Sequence, residues 1–177
     1  MSLKFTLDRS YGLVLLSATA IGFQCYFTGY IVPMGMRKQV FSKEYMEKNF
    51  GEIHAAEVGG KLPSLGYPDM GSGRYAEKLP YKDWFELNNA MRTHQQFVEQ
   101  VGIVIPFVLI GGLSAPKLAA AFGFSYFTGR LLYTAGYTTK EGPSARGRGA
   151  GLSTFSFLGV GSLSLYTAYK LLRYAKP

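Results

Sequence analysis

Apolar residues fall into four stretches, and the charged residues are concentrated in the segments between them. The first stretch, residues 11–36, contains no Asp, Glu, Lys or Arg. It is long enough to cross a hydrocarbon core, which needs about 20 residues of helix. The second, residues 88–113, has a polar entry half and a purely apolar exit half, GIVIPFVLIGGL, in which Pro106 predicts a bend. Only Ser114 and Ala115 separate it from the third, residues 116–137, so these two helices are expected to run antiparallel. The fourth covers residues 149–174, and Ser156, Gly159 and Ser162 recur along it every three residues, suggesting a face for close helix packing. The pattern predicts an all-α integral membrane protein: a single domain, residues 1–177, built as an up-down-up-down bundle of four transmembrane helices.

Between the first two spans lies a long polar segment, residues 37–87, rich in Glu, Lys, Gly and Pro. Its mixed-charge piece, with Lys43, Glu44, Glu47, Lys48 and Glu52, predicts a short surface helix. Residues 138–148, TTKEGPSARGR, read as a loop. The mean hydropathy of +0.05 averages these polar segments with the spans and so hides them.

The formal net charge of +8 does not indicate nucleic acid, because Lys and Arg are scattered over loops and helix ends and form no stripe. Membrane lipids with anionic head groups are the expected partner. A single cysteine, Cys25, excludes a disulfide framework within the chain, and with His54 and His94 the only histidines no Cys/His zinc site is expected. The first span exceeds the apolar core of a signal peptide, so an uncleaved helix is expected. With four crossings, Lys4, Arg9, Lys117, Lys170, Arg173 and Lys176 share one side. The two polar loops, which carry more Lys and Arg, share the other, and that side is expected to face the cytosol or matrix.

Candidate chemistry sits within the spans. Arg92, Gln95, Gln96 and Glu99 fall at offsets of zero, three, four and seven, on one face of the second helix. Such a face should turn away from hydrocarbon, where a charge costs at least a few kcal/mol. It reads either as an Arg–Glu pair locking helices together or as a polar ligand site. Arg130, Tyr133 and Tyr137 stack on one face of the third helix. Arg146 and Arg148 lie where the last loop enters the fourth helix, a position suited to anions, to a thiolate or to lipid phosphate. Gly71-Ser-Gly73-Arg-Tyr-Ala76 imitates a dinucleotide fingerprint, but no strand is expected before it and Pro80 interrupts a following helix. Gly60-Lys61 lacks the rest of a phosphate loop. His94 reads as a hydrogen-bonding residue, and Tyr67, Asp69 and Arg74 as loop architecture.

The stretch Phe85–Glu99, FELNNAMRTHQQFVE, resembles the second-helix signature FNxxQRAHxNxxE of the membrane-associated proteins in eicosanoid and glutathione metabolism, the MAPEG family. GRLLYTAGY, from Gly129 to Tyr137, and GPSARGRGA resemble that family's third helix and last loop, with the type-three microsomal glutathione transferases most similar. The resemblance implies a homotrimer that binds glutathione as co-substrate between protomers, with no metal. By position, Arg92, Gln96, Glu99, Tyr133 and Tyr137 would line the tripeptide, with Arg130 in support. Arg148, or else Arg146, would stabilise its thiolate, and Arg37 and Lys38 would lie at the cavity mouth. Met91 stands where the family usually has Gln, and Gln96 where it has Asn.

The expected activity is a glutathione transferase or peroxidase acting on lipophilic electrophiles or lipid hydroperoxides, in the endoplasmic reticulum or a mitochondrial membrane. The alternatives are a non-catalytic accessory subunit of a larger membrane assembly, such as a mitochondrial respiratory complex, and a lipid-binding scaffold.

Overall fold

A computed structural model describes residues 9–174; the basic positions Lys4 and Lys176 lie outside them. In chain order the helices are α1 (Arg9–Val40), α2 (Lys43–Glu57), α3 (Arg74–Glu77), α4 (Tyr81–Ser114), α5 (Pro116–Tyr137) and α6 (Gly147–Tyr174), and no strand occurs among the described residues. Single 3-10 turns form at Ser64–Gly66 and Gly142–Ser144. The four longest helices contain the four apolar stretches, but α4 starts at Tyr81, earlier than expected, and continues through Pro106. Two of them, α1 and α4, are long and apolar enough to cross a membrane. At 22 residues α5 reaches roughly 33 Å, also a membrane thickness.

Two compact units form, one from residues up to Tyr26 together with those from Gln96 onward, the other from Phe27 to Gln95. In the first, α5 and α6 pack antiparallel at backbone distance. A Cβ on Gly149 would lie 2.1 Å from the Tyr133 amide nitrogen, and one on Gly129 would lie 2.6 Å from Ser153 Oγ. The buried stripe of α6 is Gly149, Ser153, Ser156, Val160, Ser164 and Thr167, spaced in threes and fours as the helical period demands. Of the expected Ser156, Gly159, Ser162 face, Ser156 is buried and Gly159 packs closely on the Phe122 ring of α5, and Ser162 alone departs. A strict three-residue step drifts around a 3.6-residue helix, and Ser162 emerges exposed.

Val14, Ile21, Phe97, Val104, Val108, Tyr126 and Val160 fill this unit's core. The hydroxyl groups along α6 are satisfied by carbonyls: Ser164 Oγ donates to Phe107 O at 2.7 Å and to Val160 O at 3.0 Å, and Thr167 Oγ1 to Leu163 O at 2.9 Å. Within a bilayer, lipid tails are as apolar as such a core, so van der Waals fit and interhelical hydrogen bonds hold the helices together.

The second unit turns most of the expected polar loop into folded structure. The anticipated surface helix is α2, with Ser42 capping its N-terminus by accepting the Tyr45 N–H at 3.2 Å. Phe41, Met46, Phe50, Ala76, Leu79 and Leu87 form a separate apolar core. Arg37 organises the connection after α2: Nε donates to Leu65 O at 2.9 Å, Nη1 to Asp69 O at 2.6 Å, and the guanidinium stacks 4.0 Å from the Tyr67 ring. These bonds hold Leu65 in the left-handed region at φ 57°, a conformation costing about 1–3 kcal/mol outside glycine. At Gly66 (φ 65°) a side chain would also strike the Phe41 ring.

Asp69 then closes the turn by accepting the N–H groups of Gly71 (2.7 Å), Gly73 (2.9 Å) and Ala76 (2.8 Å). Burial opposes its charge, but these donors outweigh the burial and hold its carboxyl below the usual carboxylate range. The readings of Tyr67 and Asp69 as loop architecture match these contacts.

Gly149→Ala is expected to destabilise the first unit by about 1–3 kcal/mol. Gly151→Ala, with open space around its Cβ, is expected to be neutral or slightly stabilising. Thermal unfolding in detergent checks the pair. The depressed pKa of Asp69 gives stability that is fully present above its unfolded pKa of about 3.9 and is lost as pH falls through the lower folded value. Asp69→Ala leaves buried donors unpaired and should cost about 2–4 kcal/mol at neutral pH. Both effects should appear as faster hydrogen exchange at Gly71, Gly73 and Ala76.

Candidate functional site

Arg130 is buried on α5 at 2% exposure. Its guanidinium lies 4.5 Å from the Phe97 ring centre and 4.5 Å from that of Tyr133, so aromatic faces and not solvent hold the cation in place. One turn along, Tyr133 donates its phenol proton to Gln96 Oε1. Its ring packs against Tyr137 with centroids 5.4 Å apart. The tight α5–α6 contact at Gly149 sets this register, because Gly149 meets the Tyr133 backbone directly.

These residues border a cavity of about 290 Å³, at the small end of the range for ligand sites. Arg146, Gln100, Ser153 and Thr154 join Gln96, Arg130 and Tyr133 around it. Among the described residues the charged groups lining it are both arginines. Arg146 precedes α6, its carbonyl accepts the Ala150 N–H at 2.9 Å, and its guanidinium lies 5.5 Å from the Tyr137 ring. The N-terminal end of a 28-residue helix thus adds its partial positive charge beside this wall. Two cations, a helix N-terminus and two side-chain amides together form a donor set for an anionic, polar molecule.

Of the expected site residues, Gln96, Arg130, Tyr133 and Arg146 line one cavity, and Tyr137 packs behind Tyr133 and Arg146. The structure places the others elsewhere. Arg148 is exposed and does not line the cavity, so Arg146 takes the position next to it. Arg92 and Glu99 are exposed. Arg37 donates Nε and Nη1 to the Leu65 and Asp69 carbonyls, and Lys38 borders a groove of the second unit. His94 packs its imidazole over Gly29, where a Cβ would fall 2.4 Å from the ring.

Gln100, Ser153 and Thr154 were missed. Gln100 lies one turn beyond Gln96, on the same face as the residues singled out, so the offset of four could have found it. Its Oε1 accepts from the Tyr126 hydroxyl at 2.9 Å, which orients it. Ser153 and Thr154 carried no such signal, since hydroxyls are common in packed membrane helices.

The MAPEG family model matches residues 13–166. The chain belongs to the MAPEG family. The matched range includes every residue that lines the cavity, so the MAPEG resemblance and the cavity involve the same helices. Membrane association follows from MAPEG membership, in keeping with the length and hydropathy of α1 and α4. No solved structure matches this MAPEG chain.

Proposed function

We propose that this MAPEG protein crosses the bilayer four times, up-down-up-down, and acts as a glutathione transferase or peroxidase on lipophilic electrophiles or lipid hydroperoxides. The observation that carries the reading is the meeting of Arg130 and Arg146 on one polar cavity of the first unit. Glutathione is polar and anionic, which fits a lining of two guanidinium groups, two amides, a phenol and two hydroxyls. Bound there, it would supply the attacking sulfur. Arg130, fixed between Phe97 and Tyr133, offers N–H donors to a carboxylate. Gln96 and Gln100 are oriented by tyrosine hydroxyls and present their amides to peptide groups. Arg146 and the start of α6 favour negative charge on a sulfur placed beside them, raising its thiolate fraction at neutral pH. The chain needs no nucleophile of its own, and Cys25 is buried in the core.

A homotrimer, the assembly that the MAPEG resemblance implies, is the proposed state. The endoplasmic reticulum or a mitochondrial membrane is the proposed location.

A second reading, an accessory subunit of a larger membrane assembly such as a mitochondrial respiratory complex, draws on the unit from Phe27 to Gln95. It has its own apolar core and buried Arg37 clamp, more structure than a ligand cavity in the other unit requires. Purification from native membranes as an isolated trimer favours the enzyme, and recovery within a large complex favours the accessory role.

Titration of glutathione into detergent-solubilised protein, followed by thiolate absorbance, tests the leading reading. A signal is expected at millimolar glutathione. Arg146→Ala should weaken it at least tenfold, about 1.4 kcal/mol, and Arg148→Ala should weaken it less. Absence of any thiolate signal in the unmodified protein would sink the enzyme proposal.

A further inference from the structure

The second unit contains a groove of about 390 Å³ at the junction of α1 and α2. Its wall is apolar: Phe41 and Met46, each 2% exposed, with Leu62 and Leu65 beside them. Its rim carries Lys38, Lys43 and Lys61, all exposed, against one acid, Glu47. Lys38 lies in the last turn of α1, just past the charge-free stretch that ends at Met36. The groove therefore begins where α1 leaves its apolar segment, and the N-terminus of the 15-residue α2 opens onto it through Ser42.

We propose that this groove holds an anionic phospholipid, its phosphate among Lys38, Lys43 and Lys61 and the start of an acyl chain along Phe41, Met46, Leu62 and Leu65. Charge complementarity selects the occupant. Three ammonium groups beside a helix N-terminus favour a phosphate monoanion over a zwitterionic head group, whose own cation they repel. The apolar wall selects a lipid over a free anion, because inorganic phosphate gains nothing from Phe41 or Met46. Position agrees, since juxtamembrane lysines meet the head-group layer of the bilayer. Occupancy would tie α2 and the turn after it to the membrane surface independently of any ligand in the Arg130 cavity.

Tail-labelled phosphatidylglycerol and phosphatidylcholine, each titrated into the detergent-solubilised full chain, test the proposal. The unmodified protein is expected to prefer phosphatidylglycerol at least tenfold, and the preference should fall with salt. Lys43→Gln combined with Lys61→Gln should reduce it roughly tenfold, with the circular dichroism spectrum unchanged. Leu62→Gln should weaken both lipids and provides a second route should the double variant misfold. Millimolar inorganic phosphate should not displace the bound lipid. Equal affinity for the two lipids, a preference untouched by the lysine changes, or displacement by phosphate or by an acidic peptide would each overturn the assignment.

Discussion

A guanidinium buried in a helix bundle is the constraint on which the site depends. Arg130 sits at 2% exposure between the Phe97 and Tyr133 rings, in a helix whose one other charged residue is Lys117 near its start. A cation there is tolerable only if its surroundings are shaped for it. Two aromatic faces and a polar cavity each supply part of that shape. Arg146 approaches the same cavity from the start of α6, so the bundle gathers two positive groups that lipid would reject. The cavity and the cations explain each other, which is why an anionic polar ligand is the simplest functional reading.

Close backbone packing makes the arrangement possible. Gly149 and Gly129 let α5 and α6 approach until side-chain atoms at either position would collide with the partner helix. That contact fixes Tyr133, and Tyr133 in turn orients Gln96 and screens Arg130. The hydroxyl groups on the buried stripe of α6 find carbonyls on their own helix or on α4, so the packing leaves these polar groups satisfied.

Much of this was legible in the residues. A charge-free run of helix length, the two-residue separation of the second and third stretches, and the stacking of Arg130 with Tyr133 and Tyr137 all follow from spacing alone. The choice between Arg146 and Arg148 did not, because two residues of the same type flank a helix start whose exact phase decides which one faces inward. The surface helix α2 was legible in the mixed charges that begin at Lys43, but the folded nature of residues 58–79 was hidden for a different reason. Its order comes from Arg37 gripping carbonyls 28 and 32 residues further on and from Asp69 gripping the amides of the turn that follows it, and such contacts leave no periodic trace in sequence. The Ser156, Gly159, Ser162 pattern held at its first two positions and failed at Ser162, because a three-residue repeat resembles a helical face over one turn and departs from it over two.

A site for an anion at Arg130 and Arg146 requires that their cavity admit water. Cysteine accessibility in bilayer-reconstituted protein measures that access most directly, with Cys25→Ser as background. Thr154→Cys lines the cavity and Phe155→Cys, one step around α6, does not. A membrane-impermeant methanethiosulfonate reagent should modify Thr154→Cys at least tenfold faster than Phe155→Cys, and an S-alkyl glutathione should protect the former. Equal rates at the two positions, or modification of Thr154→Cys that the glutathione derivative leaves unchanged, would contradict the account.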